Sequence, residues 1–96
     1  AADKASASSI QKAIGLYNAS NNLAETNVPT PYVLINAKLL ESGDFTPQDT
    51  TYLGYYAEAD GTTKIITVYY SSAANDLTAT PTTAWGTKVA TPVLAQ

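Results

Sequence analysis

The sequence predicts an α+β domain in which a long N-terminal helix packs on an antiparallel sheet of three to four strands, with a short second helix between them. The first observation behind this fold class is a helical spacing of apolar residues near the N-terminus. The second is a hairpin pattern centred on Asp60-Gly61. The third is length, because 96 residues suffice for one shared core, so we expect a single domain over residues 1–96.

Residues 2–22 are predicted to form the first helix. Apolar side chains recur there at the i, i+3, i+4 and i+7 spacing of an amphipathic helix. They are Ala7, Ile10, Ala13, Ile14 and Tyr17. The Asn21-Asn22 pair is the predicted stop of this helix. Alanine and serine dominate positions 1–9, so the first third of the helix carries small side chains on every side.

A short second helix is predicted over residues 31–42. Thr30 is placed as its N-cap and Pro31 at its first position, where the missing N–H costs nothing. Gly43 is expected to cap the C-terminus in the left-handed conformation, and Phe45 to fold back onto the last turn. We expect this stretch to cover the core between the long helix and the sheet.

The apolar residues of the second helix fall on one broad arc at the helical period. They are Tyr32, Val33, Ile35, Ala37, Leu39 and Leu40. Leu34 points to the polar side and is expected to be exposed. Asn36 interrupts the arc, so it either bonds to a nearby backbone group or marks a later start of the regular helix.

Residues 51–71 are predicted to form a β-hairpin with Asp60-Gly61 as a two-residue type I′ turn. Counting outward from this turn gives a core face and an opposite face, and a longer loop would shift the pairing. The core face pairs Leu53 with Val68, Tyr55 with Ile66 and Ala57 with Lys64. The opposite face pairs Tyr52 with Tyr69 and Tyr56 with Ile65. Tyr52, Tyr56 and Tyr69 therefore form the candidate surface aromatic patch.

A third strand is predicted over residues 84–91, after a polar loop at 72–83. Trp85, Thr87 and Val89 alternate with smaller or polar residues at the period of a strand. Pro92 is expected to end the strand, because proline cannot donate to a strand ladder.

The composition argues against an enzyme. Cysteine, methionine and histidine are absent, which leaves no thiol, no imidazole and no Cys/His metal ligands. Ser9 and Lys12 match the Ser-x-x-Lys spacing of serine β-lactamases, but the companion motifs are missing and a chance match is favoured. Asp44 and Asp49 offer carboxylate oxygens to calcium, yet no dense ligand loop surrounds them. We therefore expect no catalytic residue, no cofactor and no metal site.

The charge balance argues against nucleic acid as a direct partner. Five lysines, no arginine and eight acidic residues give a net charge of -3, whereas nucleic-acid binding requires positive charge to neutralise phosphates. Only 14% of the residues are charged, against about 25% in an ordinary soluble domain. This surface favours a secreted or surface-displayed protein.

The segment LLESGDF, Leu39 to Phe45, resembles the turn that follows the helix in many type IV pilins and pseudopilins. With the Ala-rich helix before it and the strands after it, residues 1–70 resemble the head domain of such a protein without its N-terminal membrane helix. Many Gram-negative pilins close a C-terminal loop with a disulfide. Because cysteine is absent, the chain is more similar to cysteine-free pilins of the Gram-positive type, or to a pseudopilin.

The resemblance implies a structural subunit of an extracellular type IV pilus, which polymerises with itself and with other pilins and supports adhesion or motility. A membrane helix ahead of Ala1 would anchor the precursor in the inner or cytoplasmic membrane before assembly. Helices would then bundle at the centre of the filament. This makes Ala5, Ser9, Leu16 and Leu23 the candidate subunit contacts.

Two alternatives stay open. A pseudopilin of a type II secretion or competence DNA-uptake system has the same architecture in a different machine. A secreted module that binds carbohydrate or protein belongs to another class, and it predicts an ordinary signal peptide before Ala1.

Overall fold

An N-terminal helix packed on a three-stranded antiparallel sheet, with a short second helix, forms the domain, which confirms the predicted α+β class. The structure is a computed structural model that describes residues 2–78 and 82–94. Part of the loop predicted at 72–83 therefore lies outside the described residues. The sheet order is β1-β2-β3. The elements are α1 (Ala2–Ser20), α2 (Pro31–Asn36), a 3₁₀ turn (Ser42–Phe45), β1 (Gly54–Ala59), β2 (Ile66–Ser71), a second 3₁₀ turn (Thr82–Trp85) and β3 (Lys88–Leu94).

The first helix buries the predicted apolar stripe. Ala7, Ile10, Ala13 and Ile14 are all buried in the core. The helix ends at Ser20, two residues before the predicted end. Asn22 takes the left-handed conformation at φ 57°, and the Leu23 N–H donates to the Asn18 carbonyl at 2.8 Å. This is a Schellman cap, so asparagine does stop the helix.

The second helix is much shorter than the predicted span of 31–42. Its start is as predicted, because the Thr30 hydroxyl accepts a hydrogen bond from the Val33 N–H at 3.4 Å and proline follows the cap. It ends at Asn36 because Lys38 adopts φ 64°, and the Leu39 N–H then donates to the Leu34 carbonyl. The predicted cap at Gly43 is wrong, since that glycine lies inside the first 3₁₀ turn.

Two residues of α2 lie on the opposite side from the one predicted. Leu34 is fully buried, not exposed, while Tyr32 is 36% exposed. Asn36 is exposed and is the last residue of the helix. Leu40 and Phe45 reach the core through the turn that follows. The stretch does cover the core, with Leu40 and Phe45 as predicted and with Leu34 in the place expected of Tyr32.

The hairpin loop is longer than the predicted two-residue turn. The Asp60 N–H bonds to the Ile65 carbonyl at 3.0 Å, and Lys64 adopts φ 62°. The Asp60 carboxylate accepts hydrogen bonds from the N–H groups of Thr62 and Thr63, at 2.7 and 2.9 Å. These bonds stabilise an open loop in place of the type I′ turn.

The longer loop moves the strand register but keeps the faces. Tyr55 pairs with Tyr70, and not with the predicted Ile66, which is a shift of four residues. An even shift returns each side chain to the same face, so Tyr55, Ala57 and Val68 are buried as predicted. Two further core-face assignments are wrong. Leu53 precedes β1 and is exposed, and Lys64 lies in the loop.

The third strand begins later than predicted and continues through Pro92. Trp85 lies in the second 3₁₀ turn, where it is buried against Phe45 with ring centroids 5.7 Å apart. Its indole N–H donates to the Pro29 carbonyl at 2.9 Å. The sheet accepts Pro92 because β3 is an edge strand, where a missing N–H can face away from the ladder.

Candidate functional site

One side of α1 is left uncovered by the rest of the domain. Ala5, Ser9, Lys12 and Leu16 are exposed there, and they lie within an arc of roughly 60° at ~100° per residue. We call these four residues the exposed face of α1. Leu16 is 56% exposed, and Leu23 is also exposed in the turn after the helix. All four predicted contact residues therefore lie at the surface, and three of them share this face.

Two shallow grooves flank the exposed face of α1. The larger, of about 740 Å³, lies between the C-terminal half of the helix and the hairpin loop. Gly15, Ala19 and Leu23 contribute its helix side, and a side chain at position 15 would meet nothing within 4 Å. The smaller groove, of about 350 Å³, lies between Leu16 and the segment that carries Leu39. Both grooves have apolar walls beside the helix.

The N-terminal turn of α1 is fixed by a buried carboxylate that the sequence analysis missed. Asp3 accepts hydrogen bonds from the N–H groups of Gln48 and Asp49, at 2.7 and 3.1 Å, and from the Tyr70 hydroxyl at 2.8 Å. We call these four residues the Asp3 clamp. A signal was present, because Asp3 lies one turn before Ala7 on the buried stripe.

The hydrogen bonds of the Asp3 clamp decide its protonation. Burial is the largest single influence on Asp3 and acts to raise its pKa. The bonds from Gln48, Tyr70 and Asp49 together outweigh burial and hold the pKa of Asp3 below its ordinary value. Burial and the bond to Asp3 raise the pKa of Tyr70 to about 12. The clamp therefore joins a carboxylate to a neutral phenol at neutral pH.

Tyr55 brings another phenol close to the clamp. Its hydroxyl is buried near Ser6 and Asp3, yet no group in the described residues meets it with hydrogen-bond geometry. Burial raises the pKa of Tyr55, so this hydroxyl stays protonated. Its ring stacks on that of Tyr70 with centroids 6.0 Å apart. The group has a packing role and offers no reactive base.

The predicted aromatic patch is divided between two places. Tyr56 and Tyr69 meet across the strands with ring centroids 6.4 Å apart. Tyr52 instead stacks on Tyr70 with ring centroids 4.2 Å apart. Tyr70 lies on the core side of the sheet, where it is paired across the strands with Tyr55. The structure therefore brings together two of the three tyrosines.

An ion pair borders the Tyr56 and Tyr69 pair. The Lys88 ammonium lies 2.8 Å from the Glu58 carboxylate and 4.9 Å from the centre of the Tyr69 ring. Both charged side chains are more than a third exposed, so water screens the pair and its contribution to stability is small. Lys88 is therefore already paired with Glu58 and Tyr69 within the domain.

Each of the two acidic residues considered for calcium has a local structural partner. Asp44 accepts a hydrogen bond from the Glu41 N–H at 2.8 Å, and Asp49 accepts one from the Thr51 N–H at 3.0 Å. Across residues 2–78 and 82–94, no group of three or more acidic side chains is arranged to hold a metal ion. Ser9 and Lys12 of the Ser-x-x-Lys match are both exposed on α1.

Both edges of the sheet carry features that hinder strand addition. The Asn75 side chain covers one end of β1, where it accepts from the Tyr55 N–H at 2.9 Å and donates to the Tyr55 carbonyl at 2.8 Å. At the other edge, Pro92 of β3 has no N–H group that an added strand could pair with. Asn75 was not foreseen, because its role depends on partners distant in sequence.

The described part of the chain contains no helix that is both long and apolar enough to cross a bilayer. The candidate site is thus the exposed face of α1 with its two grooves. The chain matches no family model, no curated protein and no solved structure.

Proposed function

We propose that this protein is the head domain of a type IV pilin-like filament subunit, a structural protein that polymerises through the exposed face of α1. Its partners are copies of itself and other pilins. The proposal places the filament at the cell surface and includes an apolar helical segment ahead of Ala1 that anchors the precursor in the membrane before assembly. Adhesion or motility is the activity that such a filament supports.

The observation that carries the proposal is the division of α1 into two sides. One side supplies Ile10 and Ile14 to the core, while the other exposes Leu16 to solvent over 56% of its surface. Leu16 and Leu23 are both exposed, and each lines a groove beside α1. Apolar surface gathered along one side of a domain favours contact with another protein surface. The hindered sheet edges support the helix, and not strand addition, as the route of association.

A pseudopilin of a secretion or DNA-uptake system is the second candidate. The same exposed face of α1 supports it, because a pseudopilin has the same architecture in a different machine. The two functions differ in the length of the filament. Filaments that extend from the cell surface favour a pilin, and a short assembly confined to the cell envelope favours a pseudopilin.

Replacing Leu16 with glutamate tests the proposal. In the cells that produce the protein, Leu16→Glu is expected to abolish surface filaments seen by electron microscopy. The purified domain should remain folded, with a melting temperature changed by less than about 4 °C, because surface substitutions usually alter stability by under ~0.5 kcal/mol.

Leu53→Glu is the matched control, since Leu53 is 57% exposed and lies outside α1. It should leave the filaments intact. Normal filaments in the Leu16→Glu strain, or equal loss in both strains, would contradict assembly through α1. Unfolding of the purified Leu16→Glu domain would place Leu16 in the core.

A further inference from the structure

We propose that Tyr52 and Tyr70 are a site of oxidative modification, where a one-electron oxidant couples their two rings into an intramolecular dityrosine cross-link. The class of oxidant is a high-valent haem, such as that of a peroxidase acting with hydrogen peroxide. The product joins the segment before β1 covalently to β2. The inference is independent of the proposed filament, since it concerns contacts within one copy of the chain.

The geometry of the two rings favours coupling. Tyr52 and Tyr70 are stacked with ring centroids 4.2 Å apart and an angle of 13° between the ring planes. At this separation the two rings are in van der Waals contact, and a ring carbon beside the hydroxyl is where a tyrosyl radical forms a new bond. The rings of Tyr56 and Tyr69, by contrast, are 6.4 Å apart and inclined by 62°.

Tyr52 is also better placed than Tyr55 to couple with Tyr70. The Tyr55 ring is 6.0 Å from that of Tyr70 and is fully buried, so the close-packed core prevents it from tilting. Tyr52 precedes the first residue of β1 and is only half-buried. Its ring can therefore tilt toward Tyr70 as the new bond forms.

The Asp3 clamp supplies an acceptor for the proton that Tyr70 must lose. Removing an electron makes a phenol strongly acidic, and the Tyr70 hydroxyl already donates to the Asp3 carboxylate at 2.8 Å. Against the effect of burial, the hydrogen bonds of the clamp hold the pKa of Asp3 below its ordinary value. Asp3 is therefore ionised at neutral pH and free to take the proton as the electron leaves.

The composition leaves an oxidant few competing targets. Cysteine and methionine, which oxidants attack readily, are absent from the chain. The single tryptophan, Trp85, is only 4% exposed. Tyr52 is reachable from solvent, and its contact with Tyr70 gives the electron a short path from the second ring.

The reaction balances as two one-electron oxidations followed by radical coupling. Each tyrosine loses one electron to the oxidant and its phenolic proton, and the two neutral radicals join through ring carbons beside their oxygens. The hydrogens on those carbons then move to the oxygens, which restores both phenols. One carbon–carbon bond replaces two carbon–hydrogen bonds, and one hydrogen peroxide is reduced to two waters.

Photo-oxidation of the purified domain tests the site. Ruthenium tris-bipyridyl, oxidised by persulfate under light, serves as the one-electron oxidant, and dilute protein limits coupling between copies. The recovered monomer should show dityrosine fluorescence and a mass lower by two hydrogen atoms. Trypsin cleaves after Lys64, between the two tyrosines, so the cross-linked peptides should be recovered as one species joined through Tyr52 and Tyr70.

Substitution with phenylalanine keeps each ring but removes the phenol. Tyr52→Phe and Tyr70→Phe should each reduce monomeric dityrosine to the level of a sample kept in the dark. Tyr52→Phe leaves the bonds of the Asp3 clamp in place, so it remains decisive if Tyr70→Phe is unstable. Tyr56→Phe and Tyr69→Phe are the matched controls and should leave the yield unchanged. Dityrosine retained in Tyr52→Phe, or found only in dimers, would overturn the proposal.

Asp3→Asn tests the proton acceptor, because asparagine keeps an oxygen for the Tyr70 hydroxyl but takes up no proton. Dityrosine formation should slow by about tenfold or more. The near-ultraviolet circular dichroism of the stacked tyrosines should stay as in wild type, which separates this role from a structural one. Equal rates, or a slower rate accompanied by loss of that signal, would overturn the role of Asp3 in the reaction.

Discussion

The Tyr70 hydroxyl donates a hydrogen bond to the Asp3 carboxylate at 2.8 Å and so joins residues 67 positions apart in the chain. The same carboxylate also holds the N–H groups of Gln48 and Asp49. One side chain thereby connects the first turn of α1, the segment before β1, and β2. Because a buried charge needs such partners, removing it affects the elements it joins as well as the helix.

Replacing Asp3 with alanine is predicted to destabilise the domain by about 2–4 kcal/mol, since partly buried donors lose a charged acceptor. Asp3→Asn keeps a carbonyl oxygen in place and is expected to cost less. Urea denaturation of the three proteins measures the difference. Equal stability of wild type and Asp3→Ala would mean that the Asp3 clamp contributes nothing to folding.

The Asp3 clamp also predicts a pH dependence. The folded-state pKa of Asp3 lies below its ordinary value of 3.8, so its contribution is fully present above the unfolded pKa. It is lost as the pH falls through the folded pKa. Between pH 6 and pH 2, wild type should therefore lose more stability than Asp3→Asn, in which this group cannot titrate. Parallel curves for the two proteins would contradict the lowered pKa.

The orientation of α2 can be tested by two truncations. Leu34 is fully buried whereas Tyr32 is 36% exposed. Leu34→Ala should therefore cost about 2–5 kcal/mol, because it leaves a cavity in the core, and Tyr32→Ala should cost far less. Thermal melting of both variants decides the matter. The reverse order would restore the face that the periodicity of residues 31–42 predicts.

Replacing either of two glycines with alanine should change the stability of the domain, but in opposite directions. Gly86 adopts φ 80°, and a Cβ there would collide with the Ser71 side chain, so Gly86→Ala should destabilise by about 1–3 kcal/mol. Gly15 lies in α1 with open space around it. Gly15→Ala should stabilise the isolated domain by up to about 1 kcal/mol. Calorimetry of the two variants checks both signs.

The parts of the fold that the sequence predicts correctly depend on long, regular patterns. The stripe from Ala7 to Tyr17 spans several helical turns, so an error at one position cannot rotate the face. The two faces of the hairpin are predicted correctly for a different reason. The loop error shifted the register by an even number of residues, and side chains alternate with a period of two.

The errors occur where a short segment depends on tertiary contacts. Six helical residues in α2 are too few for periodicity to fix a face, and nothing in the residue type of Lys38 indicates a left-handed turn. The bonds of Asp3 to Tyr70 and of Asn75 to Tyr55 could not be predicted from sequence, because the partners lie 67 and 20 positions away. The exposed positions of the candidate face, by contrast, follow directly from the buried stripe opposite them.

The Asp3 clamp has a mechanical consequence. A pulling force applied at the N-terminal end of α1 loads the bonds to Gln48, Asp49 and Tyr70 together, and tension passes directly into β2. The Gln11 side chain adds an attachment further along, where it donates to the Ile66 carbonyl. The helix is therefore attached to the sheet at two positions along its length, so that tension strains the whole domain before the helix can separate from the sheet.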